Sequence, residues 1–347
     1  MVRFARERRV FFVEEPWDTE GPPRLDVRVT TEGVHVVVPH VPARGDATAS
    51  AELVRALVDE LVSEYAIRAP VLWYYTPMAL AWARHIPASA VVYDCMDELS
   101  AFAGAAEGLR RREVELIARA DIVTTGGASL YEAKRHRHGN VHLFPSSVDV
   151  PHFAQARRAQ ADPPDQATIA RPRLGYFGVI DERMDLDLLA GLAAMRPHWQ
   201  VVLVGPTAKI DEATLPRGAN IHYLGRKPYD VLPAYLAGWD VALLPFARNE
   251  ATRYISPTKT PEYLAAGRPV VSTSIRDVVR PYGERGVVRI ADTVEDFVDA
   301  VEACLAAPDA SRDTADGLLR GMSWDATWSR MRGLVAEACA AATPAAA

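Results

Sequence analysis

Short apolar runs alternate with longer amphipathic stretches through most of this 347-residue chain. In the second half the runs are rich in Val, Leu and Ile and cover residues 173–177, 199–204, 220–224, 239–246, 270–271 and 287–290. Runs of this length and composition are typical of parallel strands that are buried on both faces. Because helical stretches separate them, we expect a doubly wound parallel sheet that binds ligands beyond the carboxyl ends of its strands.

The first half repeats this alternation, with one exception. Residues 27–29 and 34–38 flank a Thr-Thr-Glu-Gly turn, which predicts a hairpin-like pair. The other predicted strands cover residues 10–13, 71–75, 90–94, 122–125 and 141–144, and the predicted helices cover residues 51–65, 108–120 and 129–137. Ser50 and Ser129 stand where helix caps are expected. The predicted fold class is therefore α/β, and the length is sufficient for two domains.

Breaks in the pattern suggest the domain boundaries. Residues 154–171 are rich in Ala, Gln, Asp and Pro without periodicity, which indicates a linker between a first domain at residues 1–153 and a second at residues 172–321. A final helix is expected at residues 322–341. Its apolar stripe, which we expect to pack in a core, consists of Trp324, Trp328, Met331 and Val335.

Composition narrows the function classes. The net charge of −6 provides no basic field for nucleic acid. Cys95, Cys304 and Cys339 are scattered, so neither a zinc site nor a disulfide framework is expected. No apolar run approaches the ~18 residues of a spanning helix, and the Arg-rich N-terminus lacks the apolar core of a signal peptide. We expect a cytoplasmic protein.

Residues 256–271 (SPTKTPEYLAAGRPVV) carry the most informative motif. The segment predicts a short helix that Ser256 or Thr260 caps, with a proline in its first position and Gly267 at its end. It follows the apolar run at residues 239–246, so the helix begins at the carboxyl edge of the predicted sheet.

Lys259 and Glu262 lie three residues apart in this motif and share one helix face. Backbone N–H groups at a helix start attract phosphate, and Lys259 adds a full positive charge. Glu262 is unsuited to phosphate but suits vicinal hydroxyls such as those of a ribose. The alternative is a solvated ion pair on the helix surface.

A second phosphate-binding arrangement opens the second domain. The strand at residues 173–177 is followed by Gly178, a loop with Arg183, and a predicted helix from Asp185. Arg183 and Lys259 would then lie at the same sheet edge, where both could contact phosphate. Asp185 and Asp187 have the spacing of an Asp-x-Asp metal site but open a helix, so we predict no metal site.

The first domain offers two carboxylates at a strand tip. Asp94 ends the strand at residues 90–94, and Asp97 follows three residues later. A carboxylate there is placed to orient a hydroxyl group of a ligand, so both are candidate catalytic residues. The alternative for each is a plain loop or capping role.

Other candidates lie on loops at the edge of the second sheet. Tyr229 is a candidate for stacking on a ring of a ligand, and the alternative is packing at a helix start. The loop after residues 239–246 contributes further polar and aromatic candidates for ligand contact, namely Asn249, Thr252, Tyr254, Ser256 and Thr258. Long polar loops are also plain connectors, which is the alternative.

The motif at residues 256–271 resembles the donor-binding segment of GT-B glycosyltransferases, particularly the retaining group that includes glycosyltransferase family four. Glu262, Gly267, Pro269 and Val270 match this group's Glu-x-x-x-x-Gly-x-Pro-Val pattern. A subgroup with Ser-Pro-x-Lys-x-x-Glu-Tyr-Leu-Ala-Ala-Gly is similar over a longer stretch, and the sequence around Asp94 and Asp97 (YDCMDELSAF) recurs in it.

The chain departs from the wider group at two donor-site positions. Counting back from Glu262, the group's first glutamate falls on Tyr254, so that carboxylate is absent. The arginine that often follows the glycine of the first loop is replaced by Val179, and Arg183 is the candidate to take over its role.

The resemblance implies two Rossmann-like, doubly wound domains: an acceptor-side domain, and a donor-binding domain whose last helix crosses back to the first. It implies transfer of a hexosyl group from a nucleoside-diphosphate sugar to an acceptor that is a glycan, a lipid or a small molecule. The reaction would be metal-independent and retaining, with the donor as co-substrate and no cofactor. Cell-envelope or exopolysaccharide biosynthesis is the expected setting.

The sequence is compatible with alternatives for the start of the first domain, for one basic segment and for the function. The resembling proteins have a βα unit before the point at which this sequence begins, so the first domain is expected either to lack it or to be naturally shorter. The basic run at residues 134–138 (KRHRH) is either a solvated helix end or a peripheral contact with an anionic inner membrane or acceptor. The rival functions are a nucleotide-sugar 2-epimerase and a non-catalytic protein that binds nucleotide sugars.

Overall fold

The computed structural model describes residues 1–42, 47–102 and 104–342, and the strands in these ranges form three sheets. The strands are β1 (Val10–Val13), β2 (Trp17–Thr19), β3 (Arg24–Val29), β4 (Val34–Pro42), β5 (Val71–Tyr74), β6 (Ala90–Cys95), β7 (Ile122–Thr125), β8 (Val141–Leu143), β9 (Arg173–Phe177), β10 (Gln200–Val204), β11 (Ile221–Tyr223), β12 (Val241–Leu244), β13 (Val270–Ser272) and β14 (Val288–Ile290).

Helices connect most of these strands. They are α1 (Val2–Ala5), α2 (Ala47–Glu64), α3 (Leu80–Ala83), α4 (Leu109–Arg119), α5 (Ala128–Lys134), α6 (Val150–Phe153), α7 (Leu186–Met195), α8 (Leu232–Ala237), α9 (Lys259–Ala265), α10 (Arg276–Val278), α11 (Val294–Ala306), α12 (Arg312–Leu319) and α13 (Trp324–Ala342). The expected α/β class with two domains is confirmed.

The C-terminal sheet has the strand order β11-β10-β9-β12-β13-β14, and all of its pairings are parallel. Every residue of β9 and β12 is buried, as the apolar runs predict for a sheet covered on both faces. The order reverses between β9 and β12, and the crevice at such a switch point is where open α/β sheets bind ligands.

The N-terminal strands divide between two sheets. One sheet contains β5, β6, β7 and β8 in parallel order, and the other pairs β4 in parallel with β1 and β2 and antiparallel with β3, which confirms the predicted hairpin. A cavity of about 1170 Å³ lies between β1 and β5 and is lined by apolar residues of both strands. The C-terminal domain therefore has one continuous parallel sheet, whereas the strands of the N-terminal domain are divided between two sheets.

The last helix, α13, packs back onto the N-terminal domain. Val335 is buried against Val92 of β6 and Ile122 of β7. The predicted apolar stripe is wrong at its first member, because Trp324 is 39% exposed at the start of the helix.

Several helices begin earlier or later than their cap residues suggest. Ser50 lies inside α2 rather than before it. Ser129 lies inside α5, whose N-cap is Gly127. Neither Ser256 nor Thr260 caps α9, because that helix starts at Lys259 after Thr258, without a side-chain cap. Proline is tolerated in the first turn of this helix because the N–H groups there have no intrahelical partner.

Candidate functional site

Gly178 and Lys259 meet at the switch point of the C-terminal sheet. Gly178 directly follows β9, and Lys259 opens α9 after the long loop that follows β12. A Cβ atom built on Gly178 would lie 2.8 Å from the Lys259 ammonium, so only glycine leaves room for the lysine. The ammonium also lies over the Tyr176 and Phe246 rings, at 5.5 Å and 6.0 Å from their centroids. These contacts hold the cation at the sheet edge.

Burial is the main cause of the pKa shifts of both Lys259 and Glu262. Burial lowers the pKa of Lys259, while the neighbouring carboxylate of Glu262 raises it. Burial raises the pKa of Glu262 to about 7, against the opposing effect of Lys259. No hydrogen bond within the described residues involves the Lys259 ammonium. Both side chains are half-buried, so they are not a fully solvated surface pair, and a half-buried cation without a hydrogen-bond partner is suited to receive an anionic ligand.

Arg183 lies at the same edge but is anchored by a residue that the sequence did not suggest. Its Nε and Nη2 donate to both carboxylate oxygens of Asp181, at 3.0, 3.1 and 2.7 Å. Its guanidinium also lies 5.6 Å from the ring of Phe102, which comes from the N-terminal domain. Part of the Arg183 charge is thus already compensated, and Lys259 is the cation with more unused capacity for a phosphate.

The structure separates the roles of Asp94 and Asp97. Asp94 is 4% exposed, and its two oxygens accept from Trp73 Nε1 and Thr124 Oγ1 at 3.1 and 2.7 Å. Asp97 lies beyond β6, where burial raises its pKa and the charges of Arg183 and Lys259 lower it. Asp94 therefore has a structural role in the first domain. Asp97 is the carboxylate that interacts electrostatically with the cations on the other side of the cleft.

Tyr229 is placed near Glu262, whose charge contributes, after burial, to raising the pKa of this tyrosine to about 12. The Tyr229 ring is 48% exposed and stacks on His152 at 4.4 Å and 10°. One face of the ring is thus covered by a histidine that the sequence analysis missed. Nothing in the sequence marks it, because the two residues are 77 positions apart.

Several residues of the loop between β12 and α9 contact the loop itself or neighbouring segments, and they do not face the cleft as expected. Thr252 is 2% exposed and forms reciprocal hydrogen bonds with Asn249, so it shapes the loop rather than facing the cleft. Asn249 Nδ2 also donates to the carbonyl of Glu182, 3.0 Å away, which ties this loop to the one that carries Arg183. Tyr254 packs against the core of the N-terminal domain. Thr258 is exposed at the start of α9.

The basic run at residues 134–138 is not a uniform charged surface. Lys134 is 3% exposed and donates to Glu98 and Glu113 at 2.6 and 2.7 Å, and Arg137 also donates to Glu113. Two of its five residues are thus neutralised in a network beneath the Asp97 loop. In the described part of the chain, every helix is too short or too polar to cross a membrane.

Sequence comparison relates the chain to glycosyltransferases. Residues 171–307 match the family model of the glycosyl transferases group 1. TuaH of Bacillus subtilis (strain 168), whose name assigns it to teichuronic acid biosynthesis as a glycosyltransferase, is 26% identical over 288 residues, covering 77% of this chain and 67% of TuaH.

Solved structures share the architecture at low sequence identity. Sucrose-phosphate synthase from Thermosynechococcus elongatus superposes with a TM-score of 0.78 at 18% identity, covering 98% of this chain and 91% of that one. HepE of Anabaena, solved with UDP and glucose, has a TM-score of 0.67 at 16% identity, covering 87% and 86%. The chain has the fold of GT-B glycosyltransferases, and residues 171–307 of its C-terminal half match the group 1 family model.

Proposed function

We propose that this chain transfers a hexosyl group from a nucleoside-diphosphate sugar to an acceptor of the cell envelope, with retention of anomeric configuration. The observation that carries the proposal is the half-buried ammonium of Lys259, which has no hydrogen-bond partner among the described residues and lies against Gly178 at the switch point. A dianionic diphosphate would supply this cation with the partner that the described residues do not provide.

Different residues of the C-terminal domain would bind different parts of the donor. Lys259 and the backbone after Gly178 would hold the diphosphate, with Arg183 at its side. Glu262 would accept hydrogen bonds from the ribose hydroxyls, and the exposed face of Tyr229 would lie against the base. HepE, solved with UDP and glucose, supports a nucleotide-sugar donor for this fold.

In the proposed reaction the bond between the sugar C1 and the diphosphate oxygen breaks, and a bond forms between C1 and the acceptor oxygen. The acceptor's hydroxyl proton passes to the departing diphosphate on the same face of the sugar. Charge develops on the diphosphate as it leaves, so Lys259 and Arg183 stabilise the transition state more than the bound donor. Asp97 would orient the acceptor hydroxyl from the opposite side of the cleft. The proposal requires neither a protein nucleophile nor a metal ion.

The acceptor class rests on the relative. TuaH's name places it in teichuronic acid biosynthesis, so we propose a glycan or glycolipid precursor of a cell-envelope polysaccharide as acceptor. Contact with a membrane would follow from a lipid-linked acceptor, with the exposed members of the basic run as candidates.

Calorimetric titration with uridine, guanosine, adenosine and thymidine diphosphates tests the donor site, and release of free diphosphate from the matching nucleotide sugars tests turnover. We expect one nucleotide to bind in the micromolar range and its sugar conjugates to be turned over, with equal rates in magnesium and in EDTA. The absence of heat with all four nucleotides would contradict the proposal. Binding without turnover in the presence of envelope glycan acceptors would favour a non-catalytic protein that binds nucleotide sugars. The presence of Tyr254 in place of the first glutamate of the wider group is consistent with that alternative.

A further inference from the structure

A buried polar contact joins the two domains beside the cleft. Asp277 of α10 belongs to the C-terminal domain and is 5% exposed. Its Oδ1 accepts from the backbone N of Ser129 at 3.0 Å and from the Ser129 hydroxyl, which lie in α5 of the N-terminal domain. We call this pair, Asp277 with Ser129, the interdomain latch.

The latch lies next to a two-glycine turn that touches both halves of the site. A Cβ atom on Gly127 would clash with the Asp277 carboxylate itself and would lie 2.7 Å from Cβ of Ser256, three residues before Lys259. A Cβ atom on Gly126 would lie 2.8 Å from the carbonyl oxygen of Met96, the residue before Asp97. Since real Cβ atoms do not approach so closely, the turn between β7 and α5 fits only as glycine.

Backbone contacts continue the link on the N-terminal side. Gly126 N donates to the carbonyl of Cys95 at 2.9 Å, which fixes the turn to the end of β6 and hence to the loop that carries Asp97. The latch, the turn and the two loops therefore form one packed unit in which a shift of α5 would move Asp97 relative to Lys259.

A second interdomain contact, beside the latch, has a different character. The ion pair of Arg276 with Glu132 flanks the latch, but its side chains are 50% and 46% exposed. Such exposed pairs contribute little to stability. The latch is buried, so breaking it leaves a desolvated group without its partner, which is the costly case.

We propose that Asp277 is a positioning residue for glycosyl transfer: through Ser129 it sets the spacing between the Asp97 loop and the donor site. This inference rests on the proposed function for its kinetic consequence. Asp277 touches neither donor nor acceptor in this assignment. It acts by holding the acceptor-side domain at the distance that transfer requires, and a misplacement of about 1 Å is enough to cost roughly 10²-fold in rate.

The test separates positioning from donor binding. In Asp277→Leu we expect kcat for transfer to fall by about 10- to 100-fold, while the Kd for the nucleoside diphosphate changes by less than about threefold. Asp277→Asn keeps an acceptor oxygen for Ser129 and should restore most of kcat. Gly127→Ala, whose added methyl group would clash with the Asp277 carboxylate and with Ser256, should lower kcat like Asp277→Leu. Arg276→Ala is the matched control, expected to keep wild-type kcat.

The distance between the two domains is measured directly by double electron–electron resonance between two spin labels. Spin labels replace the exposed Val114 of α4 and Met195 of α7, with Cys339 changed to Ser. We expect a broader or longer distance in Asp277→Leu and in Gly127→Ala, and the wild-type distance in Asp277→Asn and Arg276→Ala.

Unchanged kcat in Asp277→Leu, or a loss of nucleotide affinity as large as the loss of kcat, would overturn the proposal. An unchanged distance distribution in both Asp277→Leu and Gly127→Ala would also overturn it. If the wild type turned over no nucleotide sugar, the proposed function would fail, and the distance measurement would then decide whether Asp277 sets the domain spacing.

Discussion

Lys259 occupies the space that a side chain at Gly178 would need. The lysine opens α9 and the glycine follows β9, so the two meet only because β9 and β12 are neighbours in the sheet. Gly178 also has a φ of 139°, a backbone conformation that side chains rarely adopt. The pair therefore combines a close approach and a constrained turn at one point of the proposed diphosphate site.

The first prediction concerns Gly178→Ala. The added methyl group would displace the Lys259 ammonium and strain the turn, so we expect nucleotide affinity to fall by at least tenfold while the protein remains folded. Calorimetry with the nucleoside diphosphate measures the affinity, and thermal unfolding reports the fold. Gly139→Ala is the matched control, because a Cβ there meets nothing within 4 Å. Wild-type affinity in Gly178→Ala would show that Lys259 does not bind the ligand from this position.

Removing the cation itself gives the second prediction. We expect Lys259→Ala to weaken binding of the nucleoside diphosphate by about 1.5–3 kcal/mol, the range of a hydrogen bond to a charged group. Arg196→Ala removes an exposed cation that pairs with Glu302, and it should bind like the wild type. Equal affinities of the wild type and Lys259→Ala in calorimetry would exclude Lys259 from the site.

The sequence motif identified Lys259 and Glu262 because both depend on local features: their spacing on one short helix, and the position of that helix after a buried strand. The C-terminal sheet was predictable for the same reason, since its strands are apolar runs of the expected length. The Asp181 anchor of Arg183 was also within reach, because the two residues are two positions apart and a carboxylate so near an arginine is a natural partner.

Other features depend on contacts between residues far apart in the chain, which periodicity does not encode. Ser129 looked like a helix cap because only its local sequence was visible, whereas its partner Asp277 lies 148 residues away. Asp94 and Asp97 were indistinguishable in the sequence, since both lie at a strand tip. Their difference comes from Trp73 and Thr124 on neighbouring strands, which hydrogen-bond to Asp94 alone.

A pair of matched variants, the third prediction, separates these two carboxylates. Asp97→Asn should lower kcat by about 10²-fold or more, as expected for a group that handles a reacting hydroxyl, with an unchanged unfolding temperature. Asp94→Asn should instead destabilise the protein by about 1–3 kcal/mol. The NH2 group of the new amide would face one of the two buried hydrogen-bond donors that now bind the carboxylate, so that donor would lose its acceptor. Turnover and denaturant unfolding of both variants provide the check. The reverse pattern would make Asp94 the functional carboxylate.

The fourth prediction uses the pKa of Glu262, which burial raises to about 7. Ribose hydroxyls donate more strongly to a carboxylate than to the neutral acid, so affinity for the nucleoside-diphosphate sugar should increase as pH rises through 7. The intact nucleotide sugar is the better probe, because its diphosphate diester does not titrate in this range. Calorimetric Kd values between pH 5.5 and 8.5 provide the curve, and Glu262→Gln should give a flat one.

Stability should change with pH in the opposite direction. Because the folded-state pKa of Glu262 lies above the unfolded value of 4.5, the folded protein holds a proton that the unfolded chain releases between these values. The stabilising contribution of Glu262 is therefore complete below pH 4.5 and is lost as pH rises through about 7. Denaturant unfolding of the wild type, compared with Glu262→Gln across this range, isolates that contribution. A difference between the two proteins that does not vary with pH would mean that Glu262 titrates normally and lies in water, outside the donor site.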